Sequence, residues 1–172
     1  MNAHDSKCLI AFFSRPGNNY VGGTIVNLPV GNTEVVAKII QEMTAGDLFC
    51  IEPVHVYPGD YTETTEVAKQ EMRTNARPKL TGHMESMAPY GVVFLGYPIW
   101  WGTMPMPVFT FLEEYDLSGK TIAPFCTHEG SGLGRSVTDI KKSVSAVDRP
   151  RWPCDWGRGC EKCTGRGIRM AA

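Results

Sequence analysis

The sequence predicts an α/β domain built on a doubly wound parallel sheet. Two observations carry that expectation. Four short apolar runs alternate with segments of helical period, which is the pattern of βαβ units. The segments after the first, third and fourth runs are rich in Gly, Asn, Ser and Thr, and in such sheets ligands gather at the carboxyl ends of the strands.

Each element has its own signal. Cys8–Phe13 is a continuous apolar run, as a strand buried on both faces requires. Residues 14–31 read as a long Gly/Asn/Pro loop. Asn32-Thr33-Glu34 opens a helix with an apolar stripe of Val35, Val36, Ile39, Ile40 and Met43, and Gly46 stops it. Leu48–Ile51 is a second strand. Residues 52–61 connect it to a polar helix over 61–75, and residues 76–89 form a loop around Pro78, Gly82 and Pro89. Gly91–Gly96 is a third strand. A helix over Pro105–Tyr115 follows, with Pro in its first turn and Val108, Phe111 and Leu112 inward. Thr121–Cys126 is a fourth strand, in which Pro124 argues against an interior position. The last helix covers 133–144, with Val137, Ile140 and Val144 on one face.

Composition bounds the function. The 172 residues are 42% apolar and 10% aromatic, enough for a real core. A net charge of −1 argues against bulk nucleic-acid binding. Residues 147–172 hold six Lys/Arg against three Asp/Glu, which leaves residues 1–146 with eleven against fifteen. No apolar run reaches the roughly 18 residues of a membrane span, and the N-terminus lacks a signal-peptide profile, so a cytoplasmic protein is expected. Of the six cysteines, Cys8, Cys50 and Cys126 read as buried thiols, while Cys154, Cys160 and Cys163 cluster in the tail.

Three loops carry chemistry. The first, Ser14-Arg15-Pro16-Gly17-Asn18-Asn19-Tyr20 through Gly31-Asn32-Thr33, has small hydroxyl and amide side chains that leave backbone N–H groups free. The helix opening at Asn32 adds its positive dipole end, which suits a phosphate monoester. The same residues also suit plain helix capping. No Gly-Lys-Ser/Thr and no Gly-x-Gly-x-x-Gly is present, so neither nucleotide motif applies. The second loop runs Tyr97-Pro98-Ile99-Trp100-Trp101-Gly102. Adjacent residues on an extended segment point opposite ways, so one indole is expected in the core and the other over a flat aromatic ligand such as a flavin. The third, Thr127-His128-Glu129-Gly130-Ser131-Gly132, allows close backbone approach, offers His128 as a proton donor or as a surface residue, and leaves Glu129 facing solvent.

These loops resemble the flavodoxin-like family, in a bacterial subgroup with an insertion in the phosphate loop. Phe111–Lys120 looks like the same subgroup, and the resemblance covers residues 8 to about 146. It implies a sheet of order 2-1-3-4-5 and noncovalent FMN. Ser14, Asn32 and Thr33 would hold the phosphate. Pro98, Ile99, Trp100, Trp101 and Gly102 would line the isoalloxazine on one side, and Thr127, His128 and Gly130 would approach it on another. The insertion Asn19–Val30 leaves open whether Arg15, Asn18 or Tyr20 also touches the phosphate. Electrons would pass from a flavin reductase to an acceptor protein, with the chain a monomer or weak dimer. The alternative is an FMN-dependent NAD(P)H:quinone-type oxidoreductase. A further alternative is a degraded domain without flavin.

The tail does not fit this pattern. A domain over 1–146 is expected, followed by an atypical basic tail over 147–172 that offers no closing strand or helix. Cys160-Glu161-Lys162-Cys163 is one CxxC half-site without a second, so no metal is assigned. One choice of GC-rich codons for Arg149–Ala172, read one nucleotide out of frame, encodes a strand, a turn and an amphipathic helix. A frameshifted tail is the reading this suggests.

Overall fold

The structure is a computed structural model and describes residues 6–144. The basic tail, its CxxC half-site, its out-of-frame reading and the expected fifth strand and closing helix lie outside the described residues.

Strands β1 (Lys7–Phe12), β4 (Asp47–Cys50), β5 (Tyr90–Pro98) and β6 (Thr121–Thr127) form one parallel sheet in the order β4-β1-β5-β6. In terms of the four predicted strands this is 2-1-3-4. Helices α1 (Asn32–Thr44), α2 (Tyr61–Thr74), α3 (Met106–Glu114) and α4 (Ser136–Val144) supply the other layers. Pro124 sits in β6, an edge strand among the described residues, where its missing N–H breaks no ladder bond on the open side. No helix among the described residues is long and apolar enough to cross a membrane.

Side-chain parity divides the core in two. Leu9, Ala11 and Phe13 of the first strand segment join Val93, Leu95, Tyr97 and Ile122 on one face, under Val108, Phe111 and Leu112 of α3 and Ile140 and Val144 of α4. Ile10, Phe12 and Phe125 point to the other face and meet Ala37, Val36 and Ile40 of α1. There Phe12, Gly96 and Phe125 sit opposite one another across three strands. Gly96 is required at that point, because a Cβ would enter the Phe125 ring.

Four expectations change. Residues 17–28 are a β-hairpin rather than an open loop, with β2 (Gly17–Val21) antiparallel to β3 (Thr24–Leu28). Its two-residue turn has φ of 59° at Gly22 and 92° at Gly23, the left-handed geometry that matches hairpin twist. The inward side of α1 is Thr33, Val36, Ala37 and Ile40, while Val35, Ile39 and Met43 are exposed. The α1 stop is Ala45 at φ 51°, and Gly46 instead allows close approach to Cys8 and Ile10 of β1. Among the cysteines, Cys50 is exposed, and Cys8 and Cys126 are only partly buried.

Candidate functional site

The three loops leave the carboxyl ends of β1, β5 and β6 and enclose one cavity of roughly 860 Å³. Of the residues expected to contact a cofactor, Ser14, Arg15, Asn32, Thr33, Pro98, Ile99, Trp100, Trp101, Thr127 and His128 line it. Asn18, Gly102 and Gly130 are not on its wall. Asn18 pairs with Asn27 across the hairpin, and the two glycines sit in turns at φ 81° and 100°.

The end of the cavity at the start of α1 is built from close backbone packing. Gly31 precedes α1, and a Cβ there would strike Ser14 Oγ and the Arg15 backbone. Ser14 Oγ can therefore reach the helix start and accepts the Glu34 N–H at 3.1 Å. The helical bonds of α1 begin at the Glu34 and Val35 N–H groups, both onto the Gly31 carbonyl, so the Asn32 and Thr33 N–H groups precede them, and both residues line the same end of the cavity. Thr33, only 2% exposed, shares a hydrogen bond of 2.8 Å with Thr127 and so ties the first loop to the third. Arg15 is turned aside from this end. Its guanidinium donates to the carbonyls of Asn18, Pro58, Gly59 and Asp60, which anchors the first loop to the start of α2. Burial pulls its pKa below the ordinary value, against the opposite pull of Asp60.

The aromatic end rests on a tight turn. Trp100 and Thr103 exchange backbone hydrogen bonds of 2.8 and 3.1 Å, and the two residues between them, Trp101 and Gly102, have φ of 51° and 81°. A Trp in the left-handed region is strained by about 1–3 kcal/mol, the kind of outlier found where function holds a side chain in place. Trp100 packs edge-on against Phe13 at 5.3 Å and Tyr57 at 5.1 Å. Trp101 stands at the rim, its Nε1–H donating to the Thr65 carbonyl at 3.0 Å and its ring lying 5.0 Å from Lys69 Nζ. One indole is thus braced by the core and the other is presented outward.

In the third loop, Gly130 N–H donates to His128 Nδ1 at 3.0 Å. A neutral His128 must then carry its proton on Nε2, leaving one N–H donor. Burial pushes the neighbouring Cys126 thiol up to about 11, so it is inert as a nucleophile. Glu129 is exposed as expected but also accepts the Gly22 N–H at 3.0 Å.

Apart from Tyr20, whose contact the sequence leaves open, sequence reasoning missed the cavity's far side. Tyr20, Val21 and Gly22 come from the hairpin, and Tyr61 and Thr65 from α2. The hairpin had a readable signal, Gly22-Gly23 between Tyr20-Val21 and Thr24-Ile25-Val26. Nothing in α2 marks Tyr61 or Thr65 as facing a ligand. Among the described residues, no group of three or more His, Cys, Asp or Glu is placed to hold a metal ion.

The family model described as flavodoxin matches residues 7–151. No curated protein matches the chain. Solved structures do. A candidate flavoprotein from Bacteroides eggerthii is 33% identical, with a TM-score of 0.68 over 86% of this chain and 84% of that one. A candidate flavoprotein from Bacteroides uniformis is 27% identical, with a TM-score of 0.67 over 86% of each chain. A flavoprotein from Lactobacillus acidophilus, solved in complex with FMN, is 19% identical, with a TM-score of 0.62 over 83% of this chain and 89% of that one, a likeness of fold.

Proposed function

The chain belongs to the flavodoxin family, and from that premise we propose that it binds FMN without a covalent bond and transfers electrons between redox partners. The observation that carries this reading is the meeting of a phosphate-type end and an aromatic end on one cavity. Ser14, Thr33 and the start of α1 offer hydroxyl and N–H donors to a dianionic phosphate. Pro98, Ile99, Trp100 and Trp101 offer an aromatic and apolar wall to an isoalloxazine. The residues present therefore fit the cofactor. FMN supplies a centre that accepts and releases electrons, which none of these side chains can do. The protein's part is to hold the phosphate, cover the ring and exclude water. His128 Nε2–H can donate to a ring-edge heteroatom. Arg15 acts as a positioning residue that keeps the first loop against α2.

The test compares FMN with riboflavin, which lacks the phosphate. FMN is expected to bind far more tightly. Ser14→Ala should weaken FMN about tenfold, the loss of one hydrogen bond to a charged group, and leave riboflavin unchanged. Equal affinity for the two flavins, by fluorescence titration, would remove the phosphate site from this reading. A second reading, an FMN-dependent oxidoreductase acting on small molecules, is favoured by one observation: the inserted hairpin crosses the mouth of the cavity and touches the third loop.

A further inference from the structure

We propose that the inserted hairpin is a dimerisation edge: β3 of one copy pairs antiparallel with β3 of a second copy, about a two-fold axis at Val26. The proposal does not depend on the flavin.

The two edges of the hairpin differ. In a two-residue hairpin the residues that flank the turn exchange hydrogen bonds, and bonded and non-bonded pairs then alternate. Val21 with Thr24, Asn19 with Val26 and Gly17 with Leu28 are the bonded pairs. The main-chain groups of Asn18 and Tyr20 therefore point out of one edge, and those of Ile25 and Asn27 out of the other. The β2 edge is occupied. Arg15 donates to the Asn18 carbonyl, and Tyr20 packs on Tyr61 of α2. On the β3 edge, no donor or acceptor among the described residues meets the main chain of Ile25 or Asn27. Thr24, Ile25, Val26 and Asn27 are all exposed, Ile25 at 49% and Val26 at 38%. Such an edge is a template for another strand.

Charge and register say which strand fits. Proteins commonly guard open edges with charge, Lys above all. This chain is 20% charged, yet no Asp, Glu, Lys or Arg occurs from Pro16 to Thr33. A second copy meets no like-charge repulsion here, whereas a partner selected by charge finds nothing to recognise. Antiparallel self-pairing is also the contact that closes into a two-fold dimer. With the axis at Val26, Ile25 lies opposite the partner's Asn27, so each open N–H meets an open carbonyl. Val26 then faces the partner's Val26, and Leu28 faces the partner's Thr24, a row of β-branched and apolar pairs. An axis at Asn27 would set Ile25 against the partner's Pro29, which has no N–H. An axis at Ile25 would set Asn27 against the partner's Gly23, which lies in the turn at φ 92°. Val26 is the centre that leaves the ladder complete. Pairing there also backs β2, whose Asn19, Tyr20 and Val21 line the cavity.

The experiment sediments the full chain over about 1–500 µM, where a small interface of this kind dissociates. A concentration-dependent monomer–dimer equilibrium is expected. Ile25→Pro removes an N–H that the hairpin itself does not use, and should weaken the dimer at least about tenfold, since half of the hydrogen bonds between copies are lost. Cross-linking tests the register. Facing Cα atoms of a non-bonded antiparallel pair stand ~4.5 Å apart, within disulfide reach. Val26→Cys should therefore form a disulfide joining position 26 to itself, identified by peptide mass mapping under mild oxidation. Ile25→Cys, diagonal to its own copy, should form far less. A monomer at every concentration would overturn the proposal, whether because β3 stays bare or because the chain's own residues cover it. A dimer that a folded Ile25→Pro variant leaves intact, or equal cross-linking at positions 25 and 26, would overturn it as well. If Ile25→Pro fails to fold, the cross-linking contrast decides alone.

Discussion

The sheet face that carries Leu9, Ala11, Val93, Leu95 and Ile122 is sealed by α3 and α4, whereas the face that carries Ile10, Phe12 and Phe125 meets α1 alone among the described residues. The two ends of the cavity inherit this inequality. The aromatic end stands on the sealed face, where Phe13 and Tyr57 brace Trp100. The phosphate end stands on α1, whose grip on the sheet is Val36, Ala37 and Ile40 against a small cluster. The difference teaches that the aromatic wall is fixed by core packing, while the wall at the start of α1 depends on how firmly one helix docks.

The largest expected effect tests the sealed face directly. Phe111 is fully buried and touches Phe49 and Tyr115. Phe111→Ala should cost about 3–5 kcal/mol, since it leaves a closed cavity that cannot fill with water. Phe125→Ala on the other face should fall at the low end of that range, about 3 kcal/mol, because Phe125 keeps 8% exposure and packs in a smaller cluster. Urea unfolding of both variants measures the contrast. Equal losses would break it.

This division of the sheet was partly readable. Cys8–Phe13 is apolar throughout, so it marks a strand buried on both faces, but nothing in such a run says how deep each face is. The three loops that line the cavity were readable together because Gly, Asn and Ser clusters follow three strands whose carboxyl ends share one sheet edge. The pairing of Tyr20 with Tyr61 was not, because the two meet only once the hairpin folds back, and that contact depends on tertiary structure. The α1 stripe was misjudged for a related reason. Val35, Ile39 and Met43 fit a helical period as well as Val36 and Ile40 do, and only the position of the sheet selects between them.

The sealed face has one polar weak point. Tyr57 O–H donates to Glu71 Oε2 at 2.6 Å at its edge. Burial raises the Glu71 carboxyl above its ordinary 4.5, with the Tyr57 hydrogen bond pulling the other way. Below that ordinary value the group is protonated in both folded and unfolded chains and costs nothing. As pH rises from there through the raised value, the unfolded chain releases its proton first, and the folded state loses stability. Glu71→Gln keeps an acceptor for Tyr57 and removes the charge. Its stability relative to the parent should therefore improve between pH 4 and 7, by less than about 1 kcal/mol because the site is half solvated. Unfolding curves at several pH values check this. A variant that loses ground as pH rises would mean that the charged form is the favoured one.

The smallest effect is expected where the other face is thinnest. Val35, Ile39 and Met43 follow one another at intervals of four along α1 and are 46%, 43% and 71% exposed. Val35 also lines the cavity, so Ile39 is the cleaner probe. Ile39→Lys exchanges a half-exposed apolar side chain for a good helix former and should shift stability by no more than about 0.5 kcal/mol. FMN affinity should stay unchanged, because α1 keeps its inward residues. A buried lysine without a partner would cost several times more. A loss above about 1 kcal/mol in urea unfolding would therefore mean that this stripe is covered in solution. Dependence of that loss on protein concentration would identify a second copy as the cover, and independence would identify the chain's own residues. In either case the two faces would be more nearly equal than the described residues make them.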